Sequence, residues 1–161
     1  MAVTWHKHES CGFVILNNPP VNAINHDMRA GLISAVKWAE GEELERVILS
    51  GAGRGFAAGA DTKEFEHSAV APHLPDVINQ IEASTIPWIA AINGAALGGG
   101  GEIALGCRYR IARADATIGF PEVMLGLVPG AGATQRLPRL IGLAEALKLI
   151  PTGKTISGKA A

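Results

Sequence analysis

The sequence predicts an α/β fold with parallel strand pairing, and two observations carry that expectation. Short apolar runs of strand length, RVILS (Arg46 to Ser50) and IPWIAAI (Ile86 to Ile92), read as buried strands. They alternate with segments whose apolar residues recur at helical spacing, and strand after helix in succession favours crossovers between parallel strands.

Polar and apolar residues alternate in TWHKHESCGFVIL, which predicts a pair of N-terminal strands. NNPPVNAIN reads as an extended or turning connection, because proline also restricts the residue before it. From Asp27 the pattern becomes helical, with Met28, Leu32, Ala35, Val36 and Ala39 on one face, Asp27 as the expected cap and Gly41 just past the end. RVILS is the next strand, followed by the loop GAGRGFAAGAD and a helix from about Pro75 to Ser84 that presents Val77, Ile78 and Ile81. After IPWIAAI come a glycine run, a helix in EIALGC, and short strand signals in RYRIA and ATIGF. Two helices close the pattern, one around Ala133 to Ile141 and one with Leu143, Ala146, Leu147 and Ile150 on a face, ended by Pro151. No repeat, linker or low-complexity tract interrupts this order.

A length of 161 residues suits one domain, 1–161, with a core of respectable size. Hydrophobic content of 48%, charged content of 18% and 20 glycines describe a globular chain. A net charge of -1 supplies no broad field for nucleic acid or an anionic membrane, so neither is an expected partner, and an anionic ligand must be held by local donors. The opening stretch MAVTWHKHESCGFVILNNPP has an apolar run of only four residues and no Arg-rich amphipathic pattern, which makes a cytoplasmic setting the default expectation. Ala83 to Gly101 is free of charge, but Ser84, Thr85, Pro87, Asn93 and five glycines interrupt it and argue against a membrane span. Cys11 and Cys107 lack C-x-x-C spacing and read as reduced thiols. His6 and His8 would share a strand face, yet without a third ligand they describe a solvated surface, and no metal is expected.

Both glycine-rich segments follow a predicted strand, where open α/β folds place ligand sites. Neither is a phosphate motif. G-x-G-x-x-G would need glycine at 56, which is Phe56, and the P-loop spacing ending at GKT would need glycine at 148, which is Lys148. There is also no G-x-S-x-G elbow for a serine hydrolase. A second use of such loops is to aim bare N–H groups at a developing oxyanion, and GADTKEF and GGGGEIALGC can each contribute one donor. The plainer explanation is that the glycines only permit close packing. Glu102 and Glu122 shift that balance, because each stands among apolar residues where an unpaired charge is costly. Taken singly, Glu102 is explained by a helix N-terminus and Glu122 by an exposed turn after Pro121. Taken together, they form a candidate acid/base pair. Lys63 and Arg54 flank the first loop and are candidates to meet a phosphate, although a lone surface cation is commoner.

The segments FAAGADTKEF, AAINGAALGGGGEIALGCRYRIA and GFPEVMLGLVPGAGATQRLPRLIG resemble the enoyl-CoA hydratase/isomerase, or crotonase, family, and the resemblance runs from about Val14 to the C-terminus. NNPPVNAIN and LGCRYRIARADATIGFPEV are most similar to the hydratase part of multifunctional fatty-acid oxidation proteins, in which a 3-hydroxyacyl-CoA dehydrogenase follows on the same chain. The resemblance implies a crotonase-like spiral of ββα units. It places two oxyanion-hole donors on the backbone N–H of Ala60 and of Gly99, and the catalytic carboxylates on Glu102 and Glu122. The implied reaction is hydration of a trans-2-enoyl-CoA, with both glutamates holding the water and Glu122 giving the proton to C2. Gly130 matches the position whose backbone helps place that water, and Lys63, with the backbone near Ala23 and Asp61, matches the region that receives the CoA nucleotide. No cofactor is implied beyond the coenzyme A of the acyl-CoA thioester itself. The family's domain continues past the point matching TGKTISGKAA into a strand and helices that complete the acyl pocket and build trimers. The expectation is therefore a domain truncated at its C-terminus, and a trimer-based homo-oligomer when complete. An isomerase of the same family and a non-catalytic acyl-CoA-binding fragment are the alternatives; an NAD-linked oxidoreductase is opposed by the failed fingerprint.

Overall fold

The computed structural model describes residues 1–66 and 70–161. Along the chain run β1 (Val3–His8), β2 (Cys11–Leu16), α1 (His26–Gly41), β3 (Arg46–Gly51), α2 (Leu74–Ala83), β4 (Trp88–Ile92), β5 (Ala95–Leu97) and α3 (Gly99–Gly106). They are followed by β6 (Tyr109–Ala112), β7 (Thr117–Gly119), α4 (Ala133–Ile141), α5 (Leu143–Leu149) and β8 (Thr155–Ser157), with 3₁₀ turns at Thr62–Glu66 and Pro121–Leu125. A five-stranded sheet has the order β1-β2-β3-β4-β6. The hairpin β1–β2 is antiparallel, and β3, β4 and β6 then add in parallel, as the crossover helices require. A smaller sheet, β5-β7-β8, pairs β5 with β7 in parallel and β7 with β8 antiparallel.

The main core lies between the large sheet and α1 to α3, with Trp88, Phe56, Met28, Leu32 and Ile78 fully buried. A second cluster, Phe120, Ala133, Leu137, Ala146 and Leu149, joins α4 and α5 to the small sheet. On α5 the predicted apolar face is only partly covered. The helix buries Ala146 and Leu149, whereas Leu143 and Leu147 remain 64% and 54% exposed. Among the described residues no helix is long and apolar enough to cross a membrane.

The helix ends also differ from the sequence reading, for local reasons. Asn25, not Asp27, caps α1: its backbone is extended (φ -98°, ψ -178°), so its Oδ1 turns back to accept the Met28 N–H at 2.9 Å. Asp27 instead lies in the first turn, where its charge faces the positive end of the helix dipole. Gly41 is the last helical residue rather than the one beyond it. α3 starts at Gly99, inside the glycine run rather than after it. Close approach explains the glycines there, since a Cβ on Gly100 would lie 2.1 Å from the Ala57 carbonyl oxygen, and one on Gly101 would lie 2.9 Å from the Phe120 ring. The three-residue strands β5, β7 and β8 are too short to show a period; β7 was anticipated from ATIGF, but β5, β8 and both 3₁₀ turns were not.

Candidate active site

Two backbone bridges bring the glycine loops together. Ile24 pairs with Ala60 and Ala57 with Ala96, both in parallel, so the segment 57–60 lies between the connection after β2 and the entry to α3. Gly59 has φ +104° and Gly98 φ +51°, conformations that an L side chain adopts only under strain. A Cβ on Gly59 would stand 3.9 Å from the Gly99 nitrogen, and one on Gly99 would stand 3.8 Å from the Ala60 nitrogen. The Ala60 and Gly99 N–H groups are thus neighbours. Among the described residues neither donates a backbone hydrogen bond, so both are free for an external acceptor.

Glu102 is only 3% exposed. Its Oε1 accepts the Ala131 N–H at 2.8 Å and the Ala133 N–H at 3.0 Å. Gly132, between them, has φ +108° and no side chain to cap α4, so a glutamate from α3 supplies that cap. Burial pushes the Glu102 carboxyl above the usual carboxylate range, against the opposing pull of the two N–H groups and of the Arg136 guanidinium. Glu122 lies on the 3₁₀ turn Pro121–Leu125 and faces the same place, since a Cβ on Gly98 would sit 3.0 Å from its Oε1. Its Oε2 is buried without a hydrogen-bond partner among the described residues. Burial raises this carboxyl too; its own N–H opposes the rise and the charge of Glu102 adds to it. The result is two carboxyl groups that are both easier to protonate than exposed ones, beside two unused N–H donors.

The sequence matches the enoyl-CoA hydratase/isomerase family over residues 6–161. The chain belongs to that family. It is 45% identical over 168 aligned residues to a probable enoyl-CoA hydratase of Bacillus subtilis, covering 99% of this chain and 65% of that one. It is 44% identical over 153 residues to the peroxisomal bifunctional enzyme of Danio rerio, covering 94% of this chain and 21% of the relative. Among solved structures, an enoyl-CoA hydratase of Bacillus anthracis superposes with a TM-score of 0.93 at 36% identity, covering 100% of this chain and 66% of that one. The fold is therefore that of the crotonase family, and the chain spans about two-thirds of the single-function relatives and about a fifth of the bifunctional ones.

The remaining family-matched positions fall around this centre. Gly130 is exposed and directly precedes Ala131, the residue bonded to Glu102. Ala23 adjoins the Ile24–Ala60 bridge, and its carbonyl already accepts the Asn18 Nδ2 at 2.7 Å. The Asp61 N–H donates to the Ile24 carbonyl at 3.1 Å, the Asp61 Oδ1 accepts the Lys63 N–H at 3.1 Å, and Lys63 is exposed. Arg54 lines a separate polar recess of about 390 Å³ with Asn93, Gly94, Arg113 and Asp115, and Lys63 does not line it. An apolar groove of about 670 Å³, lined by Leu105, Phe120, Leu137, Ile141, Leu149 and Ile156, holds neither Glu102 nor Glu122.

Of the other candidates, His6 stacks on Phe13 with ring centroids 5.2 Å apart, and no cluster of three metal-binding side chains occurs among the described residues. Burial pushes the Cys107 thiol up to about 12, which makes it inert, and Cys11 is likewise free of any disulfide. Two residues escaped the sequence reading. Buried Asn22, at φ +54°, donates from Nδ2 to the carbonyls of Ala52, Gly55 and Phe56 at 2.9, 3.0 and 3.2 Å, and so anchors the first glycine loop. Asparagine is among the few residues that tolerate this backbone, the single signal that NNPPVNAIN offered. Arg136 bonds α2 and the 131–133 turn at once, and nothing local in TQRLPR marks it.

Proposed function

We propose that this chain, as one hydratase-type domain over 1–161, adds water across the double bond of a trans-2-enoyl-CoA to give a 3-hydroxyacyl-CoA, a step of fatty-acid β-oxidation. The observation that carries the reading is the pair of free N–H groups, Ala60 and Gly99, beside the buried Glu102 carboxyl and the half-buried Glu122 carboxyl. Attack of water at C3 moves electron density through C2 onto the thioester oxygen, and the two N–H groups meet that charge. Glu102, held by two donors, fixes and deprotonates the water; Glu122, whose raised pKa keeps a proton within reach, delivers it to C2. The water's oxygen and one of its protons end on C3, Glu122 gives its proton to C2, and the proton taken by Glu102 passes to Glu122 before the next turnover, so the atoms balance without a further reagent. Coenzyme A enters as part of the substrate, with its nucleotide near Lys63, Ala23 and Asp61, and the Gly130 backbone next to the water. The exposed Leu143 and Leu147 suit a trimer-based assembly in which other chains cover them.

The test is loss of enoyl absorbance with crotonyl-CoA. Glu102→Gln and Glu122→Gln are each expected to lower kcat by about 10² to 10⁴ while CoA binding is retained. If Glu102→Gln stopped hydration but left double-bond isomerisation running, the isomerase reading would replace this one. An absence of hydration by the wild-type chain would overturn the proposal outright.

A further inference from the structure

We infer that Arg136 is a positioning residue for Glu102: by tying the 131–133 turn to α2, it holds the two N–H groups that orient the carboxylate. The inference rests on the hydratase reading for its catalytic consequence, but the coupling itself is a property of the chain. The Arg136 side chain is 16% exposed and its guanidinium is nearly saturated. Nε and Nη2 donate to Glu82 Oε2 at 3.2 and 2.6 Å, Nη2 also donates to Asn79 Oδ1 at 2.9 Å, and Nη1 donates to the Ala131 carbonyl at 3.0 Å. Ala131 is therefore gripped from both sides, its carbonyl by Arg136 and its N–H by Glu102. The guanidinium lies over Gly132, where a Cβ would stand 2.0 Å from Nη1 and would push the fork aside. With α2 as the fixed post, the fork determines where the peptides on either side of Gly132 point, and hence where Glu102 Oε1 rests.

A plain strut between α2 and α4 would show the same bonds to Glu82 and Asn79. It would not need the fourth bond, to the carbonyl of the residue that holds Glu102. The charges facing Glu102 are few. α4 brings Arg136, α2 brings Glu82, which is paired to Arg136, the 3₁₀ turn brings Glu122, and β4 and β5 bring none. Removal of the cation therefore takes away the opposite charge that acts on Glu102 and leaves the Glu122 carboxyl, whose charge couples to it.

Two readouts test this. In the wild-type chain and in Arg136→Gln, the carboxyl ¹³C signal of Glu102, assigned by its loss in Glu102→Gln, is titrated by NMR; the Arg136→Gln midpoint is expected to move to higher pH. Glu82→Gln retains an acceptor for the guanidinium but removes the opposing charge, and is expected to move the midpoint the other way. In crotonyl-CoA hydration, Arg136→Gln is expected to lower kcat about tenfold to a hundredfold with KM within about twofold, and to raise the acid limb of the kcat profile in step with the NMR midpoint. Arg136→Lys, which keeps the charge but not the fork, should restore the midpoint but not the rate. A folded Arg136→Gln chain with an unmoved Glu102 midpoint would reduce Arg136 to a strut. If Arg136→Gln does not fold, an unmoved midpoint in Glu82→Gln would do the same. A chain with no hydration but the expected midpoints would overturn the hydratase reading and leave the coupling standing.

Discussion

Replacing Glu102 by glutamine and by leucine separates the two things this side chain does. Among the described residues its Oε1 is the sole acceptor for the N–H groups of Ala131 and Ala133, residues that are themselves 4% and 0% exposed. Leucine leaves both donors without a partner, at about 1–3 kcal/mol each. Its own apolar burial returns about 1.5–3 kcal/mol. The Glu102→Leu chain is therefore expected to be about 1–3 kcal/mol less stable than Glu102→Gln, whose amide oxygen still accepts both bonds. Glutamine should also exceed the wild type near neutral pH. The Glu102 pKa is raised by folding, so its contribution to stability is fully present below the unfolded value and is lost as pH rises through the folded one. Glutamine undergoes no such loss, and the gap should close as pH falls below about 4. Urea unfolding followed by far-ultraviolet circular dichroism between about pH 4 and 8 reads all three chains. The reasoning is refuted if leucine matches glutamine, or if the wild type is the more stable at pH 7. A glutamine chain that is more stable yet inactive would show that the buried charge is kept for chemistry at the expense of stability.

Gly100→Ala should cost about 3 kcal/mol or more, because its Cβ would meet the Ala57 backbone oxygen at 2.1 Å and α3 would have to shift; an unchanged urea midpoint would contradict the packing described. Replacing the Gly99 amide by an ester removes one of the two free donors without adding bulk. It is expected to lower hydration of crotonyl-CoA by about 10² to 10³, and undiminished turnover would assign the glycine run to packing alone.

Local periodicity determined the elements: the apolar faces of α1 and α2, the buried runs of β3 and β4, and the alternation that makes the central sheet parallel were all legible within windows of a few residues. So was the candidacy of Glu102 and Glu122, because a carboxylate in an apolar run is costly wherever the chain goes. What Glu102 bonds to was not legible. A helix N-terminus does stabilise it, as the sequence suggested: it lies in the first turn of its own α3, and its Oε1 also takes the two N–H groups at the start of α4, from residues 29 and 31 positions away. The side-by-side placement of Ala60 and Gly99 likewise depends on the bridges Ile24–Ala60 and Ala57–Ala96, and the grip of Asn22 and Arg136 on those loops depends on partners in distant segments. Periodicity reports which face of an element is apolar, since that property repeats along the chain. A hydrogen bond between segments is a single event with no repeat, and only the packing of sheet, helices and positive-φ glycines brings its donor within reach of its acceptor.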